Sequence, residues 1–182
     1  EKHFLDSLSL LCVEGIQGRI ADVGSGAGFP GLVLAIVLPD GELCLIDPMA
    51  KRCIFLRAAV QELGLHNVTV FNARAEDHAK ECRETYDAVT ARAVAALPVL
   101  SELCVPLVKP GGVFVPMKGS HGAEEAREAA HALELLGCAA PEAKELELPS
   151  AGKRILIRCR KTRNTPKKYP RNYGQIHKHP LA

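Results

Sequence analysis

Residues 19–31, RIADVGSGAGFPG, constrain this chain more than any other segment. An apolar run of strand length breaks into glycines at positions 24, 26, 28 and 31, overlapping an apolar helical stretch, Pro30–Leu38. A strand that turns through glycine into a helix presents bare backbone at its carboxyl end, where open α/β sheets hold ligands. Proline suits the first helical turn because its missing N–H would lack a partner there anyway.

The alternation continues along the chain. Arg19–Val23 reads as a first strand, and Glu42–Ile46 as a second that ends in Asp47. Ala50–Leu63 reads as a helix closed by Gly64. Val68–Phe71 and Tyr86–Thr90 read as strands around a short helix, Glu76–Arg83. Leu97–Val108 reads as a helix stopped by Lys109-Pro110-Gly111, Gly112–Met117 as a fifth strand and Ala123–Leu136 as a helix. Five strands separated by helices predict a doubly wound, mostly parallel sheet with helices on both faces. Two more strands, near Lys144–Leu148 and Arg154–Arg160, have only Pro149–Lys153 between them. A link that short permits a hairpin and not a parallel crossover, so the sheet is expected to end in an antiparallel pair.

Before the sheet, residues 3–12 place Phe4, Leu5, Leu8, Leu11 and Cys12 on one helical face, in a chain that begins almost inside this helix, as if a longer N-terminus preceded it. The expected organisation is a helical remnant over residues 1–17, one ligand-binding domain over 18–160 and a basic tail or docked arm over 161–182. With 182 residues and a hydrophobic content of 47%, one core suffices.

The glycine loop fits two patterns. Asp22 with Gly24, Gly26 and Gly28 gives the DxGxGxG loop of S-adenosylmethionine sites. Gly26, Gly28 and Gly31 give the GxGxxG fingerprint of dinucleotide sites. A pyrophosphate sits on a helix N-terminus, where free N–H groups and the helix dipole favour anions. Pro30 removes one of those donors, and Asp22 adds negative charge beside the same place. An acid there suits the ammonium and sulfonium of S-adenosylmethionine better than a pyrophosphate. Asp47 can accept ribose hydroxyls from either ligand, or simply cap the following helix. Glu76, after the third strand, can read an adenine or stabilise its own helix N-terminus.

The net charge of +2 hides an asymmetry. Residues 151–182 hold ten Lys or Arg and no acid, leaving 13 basic and 21 acidic residues for the rest. A cationic segment of this kind points to a polyanion. Lys118, Lys167, Lys168 and Arg171 are candidate phosphate contacts, and Tyr169 a candidate stacking platform for an unpaired base. The seven cysteines are dispersed, without a CxxC pair, which fits reduced thiols in a cytosol and gives no metal site. No apolar run reaches membrane-spanning length. Two other readings stay open at this point: a dinucleotide-dependent (NAD-type) oxidoreductase and a non-enzymatic RNA-binding protein.

Seven motifs in order carry a resemblance over nearly the whole chain: HFLDSL at 3–8, DVGSGAGFPG at 22–31, DPMAKRCIFL at 47–56, ARAE at 73–76, ARAVA at 91–95, PMKG at 116–119 and YPRNYG at 169–174. With them the sequence resembles the ribosomal RNA small subunit methyltransferase G family, also called glucose-inhibited division protein B. The resemblance implies a Rossmann-like class I methyltransferase fold. It also implies methyl transfer from S-adenosylmethionine, released as S-adenosylhomocysteine, to N7 of a guanine in the decoding region of bacterial 16S rRNA. The implied partner is 16S rRNA or the small ribosomal subunit, the place the cytoplasm, with no membrane and a monomeric chain. By resemblance Gly24 and Phe29 line the donor pocket, Ala75 and Glu76 meet the adenosine end, and Arg92 lies at the site.

Guanine N7 offers a lone pair in the ring plane and has no proton to lose, so positioning suffices and no general base is required. The chain agrees. After the fourth strand it reads Thr90-Ala91-Arg92-Ala93-Val94, without the Pro-Pro-aromatic turn that grips an exocyclic amine. It also has no Pro-Cys pair to attack a pyrimidine. Arg92, at the carboxyl end of a strand, is assigned to orienting the guanine or a neighbouring phosphate through its forked donors.

Overall fold

The computed structural model describes residues 2–92, 94–119, 121–148 and 152–181. Ala93 of the ARAVA motif, Pro149–Ala151 of the expected hairpin link, and the terminal Glu1 and Ala182 lie outside them. The strands are β1 (Arg19–Val23), β2 (Glu42–Ile46), β3 (Val68–Phe71), β4 (Tyr86–Arg92), β5 (Val108–Lys118), β6 (Glu142–Leu148) and β7 (Gly152–Arg160). They form one sheet in the order β3-β2-β1-β4-β5-β7-β6. The first five are parallel, whereas β7 runs antiparallel to both β5 and β6. The expected α/β class, doubly wound with a closing antiparallel pair, is what the chain adopts.

Central strands read as unbroken apolar runs because helices cover both of their faces. Four of the five residues of β1 and of β2 are buried, while the edge strand β3 stays partly exposed. On one face Ile20, Leu43 and Val113 pack with Leu10 and with Leu34 of α2 (Gly31–Val37). On the other, Ala21, Val89 and Phe114 meet Leu100 and Leu103 of α5 (Leu97–Cys104). The remaining helices are α1 (Lys2–Leu8), α3 (Ala50–Glu62), α4 (Ala75–Glu81), α6 (Gly122–Glu128), α7 (Ala130–Leu136) and α8 (Tyr173–Lys178). Among the described residues no helix is long and apolar enough to cross a membrane.

Several boundaries differ from the sequence reading. The helix expected over 3–12 is α1 followed by a 3₁₀ turn, Ser9–Cys12. Tightening from 3.6 to 3.0 residues per turn rotates Leu10 inward to 0% exposure and Leu11 outward to 44%, while Phe4, on α1 before the turn, is 51% exposed. The proposed apolar face is therefore corrected: Leu10 is the anchor. The stretch expected as Leu97–Val108 stops at Cys104, continues as a 3₁₀ turn over Val105–Leu107 around Pro106, and passes directly into β5. Lys109-Pro110-Gly111 lies within β5, at a register shift against β4, instead of ending a helix. The helix expected over Ala123–Leu136 divides at Ala129 into α6 and α7. β4 runs two residues further than Thr90, so Arg92 is a strand residue opposite Met117.

The basic C-terminal segment is a docked arm. Lys161 is fully buried, its ammonium donating to Glu84 at 2.8 Å and to the Val105 carbonyl at 3.0 Å. Arg83 donates to the carbonyls of Thr165, Pro166 and Tyr169. Ile176 closes the far end inside the core.

Candidate functional site

The parallel order reverses beside β1, because the chain leads from β1 to β2 on one side while β4 occupies the other. Crevices form at the carboxyl ends of strands at such a switch point. Gly24 opens the loop there with a φ of +73°, and a Cβ on it would stand 2.6 Å from Val94 Cγ2. The close approach and the left-handed backbone both require glycine.

Two acids brace the loop from beneath. Asp22 is fully buried, and its Oδ2 accepts the Gly31 N–H at 3.0 Å, at the start of α2. Asp47 is fully buried as well. Its Oδ2 accepts the Gly26 N–H at 3.0 Å and Arg52 at 3.4 Å, and its Oδ1 accepts the Met49 N–H at 2.9 Å. Main-chain donors reach Asp22 Oδ2 and both Asp47 oxygens, and neither residue lines the crevice above, so in this structure both expected ligand residues brace the loop. Because Asp22 holds the Gly31 N–H, the helix terminus that a pyrophosphate would need is already neutralised.

Burial pushes the Asp22 carboxyl up to about 7, against the opposing pull of the Gly31 N–H, the Ser25 hydroxyl and Arg92, and with a further push from Asp47. Its Oδ1 has no hydrogen-bond partner. Between 3.8 and about 7 the folded state keeps a proton that the unfolded state has released, so stability falls as pH rises through this window and levels off above it. Asp22→Asn retains an acceptor for Gly31 and cannot titrate. Thermal melts from pH 5 to 8 are expected to show a smaller decline for this variant than for the wild type, and equal slopes would exclude Asp22 as the titrating group.

Above the loop lie three neighbouring chambers that share lining residues. The first, of about 650 Å³, is lined by Gly24, Ser25, Gly26, Ala27 and Phe29, with Lys51, Arg52, Phe55 and Arg92 opposite. The second, of about 160 Å³, shares Gly24 and adds Ile46, Pro48, Ala73–Glu76, Val94 and Tyr173. The third, of about 540 Å³, shares Arg92 with the first and is lined by Lys2, His3, Asp6, Lys118 and Arg154. Of the residues expected on a ligand, Gly24, Gly26, Phe29, Ala75, Glu76 and Arg92 thus meet along one trough. Gly28 has a φ of +91° and turns the loop without lining it. Glu76 is 8% exposed, and among the described residues its carboxylate forms no hydrogen bond, so it keeps its acceptors for a ligand.

Arg92 stands where two chambers meet. Its guanidinium lies 5.4 Å from the Phe29 ring centroid and reaches His3 Nδ1 at 3.3 Å and Asp6 at 3.8 Å. Asp6 also holds Arg154 at 2.7 Å. Sequence reasoning missed His3, Asp6 and Arg154. Asp6 lies within the HFLDSL motif, which marked it. Nothing local marks Arg154, whose partner is 148 residues away.

The cationic candidates divide. Lys167 and Lys168 are exposed, and among the described residues neither pairs with an acid. Lys118, the candidate phosphate contact at the end of β5, lines the third chamber and is held by Glu125 and the Ala95 carbonyl, both at 2.7 Å. Tyr169 is 7% exposed and cannot stack on a base from inside the core. Arg171 forks onto the fully buried Glu102, with 2.6 Å the shortest contact. Both were expected on RNA, and both anchor the arm.

The trough fits S-adenosylmethionine. Glycine backbone lines its middle, a small, largely apolar chamber at one end suits a flat ring, and a buried carboxylate remains open beside that chamber. Solved structures share the fold. The tRNA (m1A58) methyltransferase TrmI from Aquifex aeolicus superposes with a TM-score of 0.66 at 16% identity, over 88% of this chain and 69% of that one. TYW2 from M. jannaschii in complex with AdoMet gives 0.64 at 15% identity, over 87% and 74%. Among relatives named ribosomal RNA small subunit methyltransferase G, that of Desulfitobacterium hafniense is 49% identical over 100% of this chain and 77% of its own length. That of Staphylococcus epidermidis is 47% identical with the same coverage. The family model for rRNA small subunit methyltransferase G matches residues 1–154, which leaves the dinucleotide oxidoreductase without support, and the chain belongs to that family.

Proposed function

We propose that this chain is the S-adenosylmethionine-dependent enzyme that methylates N7 of a guanine in the decoding region of bacterial 16S rRNA. The observation that carries this reading is the position of Arg92, which lines both the glycine-loop chamber and the chamber walled by Lys2, His3 and Arg154. A donor held on the first side and a purine held on the second meet at that guanidinium. The bound donor supplies an electrophilic methyl on sulfur, and the residues supply geometry. Gly24, Gly26 and Phe29 seat the donor, while Ala75 and Glu76 meet its adenosine end. Arg92 donates to acceptor atoms of the guanine or a flanking phosphate and fixes the line of approach.

Asp6 is a positioning residue here, its carboxylate bridging Arg92 and Arg154 at the rim of the acceptor chamber. Lys167 and Lys168 supply exposed charge for the RNA backbone. On this reading the enzyme works as a cytoplasmic monomer on 16S rRNA or the small subunit.

The test is mass spectrometry of rRNA nucleosides after incubation of unmethylated small subunits, and of stripped rRNA, with enzyme and S-adenosylmethionine. 7-Methylguanosine at a single decoding-region position is expected. Methylation of another base or atom would overturn the reading, and no methylation of either substrate would favour a non-enzymatic RNA-binding protein.

A further inference from the structure

The C-terminal arm carries one aromatic side chain for which the family reading provides no task. Tyr173, the first residue of α8, lines the 160 Å³ chamber together with Ala73, Arg74, Ala75 and Val94. It is 39% exposed, which is high for a ring whose surroundings are otherwise packed. The chamber's inner side is Ile46 and Pro48, at the carboxyl end of β2, so Tyr173 supplies an outer wall that the sheet does not.

The ring is held in place from both directions along the chain. On the N-terminal side, Glu102 accepts the Arg171 main-chain N–H at 2.9 Å as well as its guanidinium. Asn172 caps α8 by accepting the Gln175 N–H at 3.0 Å. On the C-terminal side, Ile176 is fully buried. Arg74, from the loop after β3, sets its guanidinium 5.3 Å from the Tyr173 ring centroid and ties the arm to the chamber's lip. A wall fixed in advance loses little freedom when a ligand arrives. Nearby stands the Glu76 carboxylate, buried and without a hydrogen-bond partner among the described residues.

We propose that Tyr173 is a donor-binding residue, which closes the adenine end of the S-adenosylmethionine site from outside. The arm is then a structural part of the donor pocket, with Arg171 and Glu102 as its positioning pair. The inference rests on the trough being the donor site and extends that reading to a residue outside the glycine loop and the strand ends.

Calorimetry with S-adenosylhomocysteine on the full chain tests it. Tyr173→Ala is expected to weaken binding about tenfold, the scale of one lost aromatic contact and the surface it shields, while Tyr173→Phe stays within about twofold. 5′-Methylthioadenosine, which has the adenosine but not the amino-acid end, is expected to lose the same factor. Arg171→Ala, which frees the arm from Glu102, should weaken the ligand similarly and add little in the Tyr173→Ala background. Melting temperatures measured alongside separate this effect from misfolding, since a half-exposed ring contributes little to stability. Undiminished S-adenosylhomocysteine binding by Tyr173→Ala overturns the inference and leaves the donor site standing. A loss confined to S-adenosylhomocysteine and absent for 5′-methylthioadenosine also overturns it. Failure of the wild type to bind either ligand overturns the donor site itself.

Discussion

Arg92→Ala is expected to slow rRNA methylation by about 10²-fold in kcat, the usual consequence of losing a group that holds reacting partners in line. S-Adenosylhomocysteine binding should change by no more than a few-fold, because the glycine backbone, Phe29 and Glu76 all remain. The guanidinium has two supports, the Phe29 face and the Asp6–His3 pair, so its direction is set before substrate arrives. Arg92→Lys should recover little, since an ammonium on a flexible stem has no planar fork to meet a purine edge or phosphate. Single-turnover methylation measured beside ligand calorimetry separates these terms. A variant that turns over at the wild-type rate would remove Arg92 from the acceptor, and one that loses only donor affinity would move it wholly to the donor side.

The largest stability effect is expected at Lys161. This lysine is fully buried and its Glu84 partner is nearly so. Glu84 also accepts the Thr165 N–H at 2.7 Å and the Asn164 amide, so a single carboxylate gathers the start of the arm. Burial draws the ammonium below its ordinary pKa despite the opposing pull of Glu84. Lys161→Ala leaves that carboxylate without its cation, and breaking a buried pair from one side costs about 3–5 kcal/mol. In a protein of this size that corresponds to a fall in Tm of roughly 10 °C. Lys153→Ala, which removes an exposed partner of Glu145, is the control and should leave Tm nearly unchanged. Equal melting temperatures for both variants would show that the Lys161–Glu84 pair does not anchor the arm.

Periodicity and turn residues were enough to place β1, β2 and β3 at their observed bounds, because each is an apolar run between strong breakers. They also foretold the closing hairpin, because its link is too short for a crossover. The helix boundaries that failed have local causes. At Ser9 and at Ala129 the backbone changes pitch or breaks without a Gly or Pro signal, which residue spacing alone cannot register, whereas at Pro106 the proline marked a break that the apolar run obscured. Within the site, Gly24 and Glu76 were legible because the loop and strand ends place them by local rules, whereas Phe29 came only from the resemblance. Asp22 and Asp47 were singled out from the loop pattern, but their bonds to the Gly31, Gly26 and Met49 main chain were not legible, since only geometry reveals which way a carboxylate turns beneath a glycine loop. Tyr169 and Arg171 were misread for a related reason. A basic segment with aromatics looks the same in sequence whether it is solvated or docked, and Glu102, buried on α5, is what decides.

The reversed direction of β7 decides what forms the far side of the chamber lined by Lys2, His3 and Arg154. A parallel strand in that place would bring its final residues to the carboxyl edge of β5; the antiparallel one brings its first, so that Ile155 sits opposite Lys118 and Arg154 reaches the opening. The first residues of β7 therefore belong to the same edge of the molecule as the carboxyl end of β5.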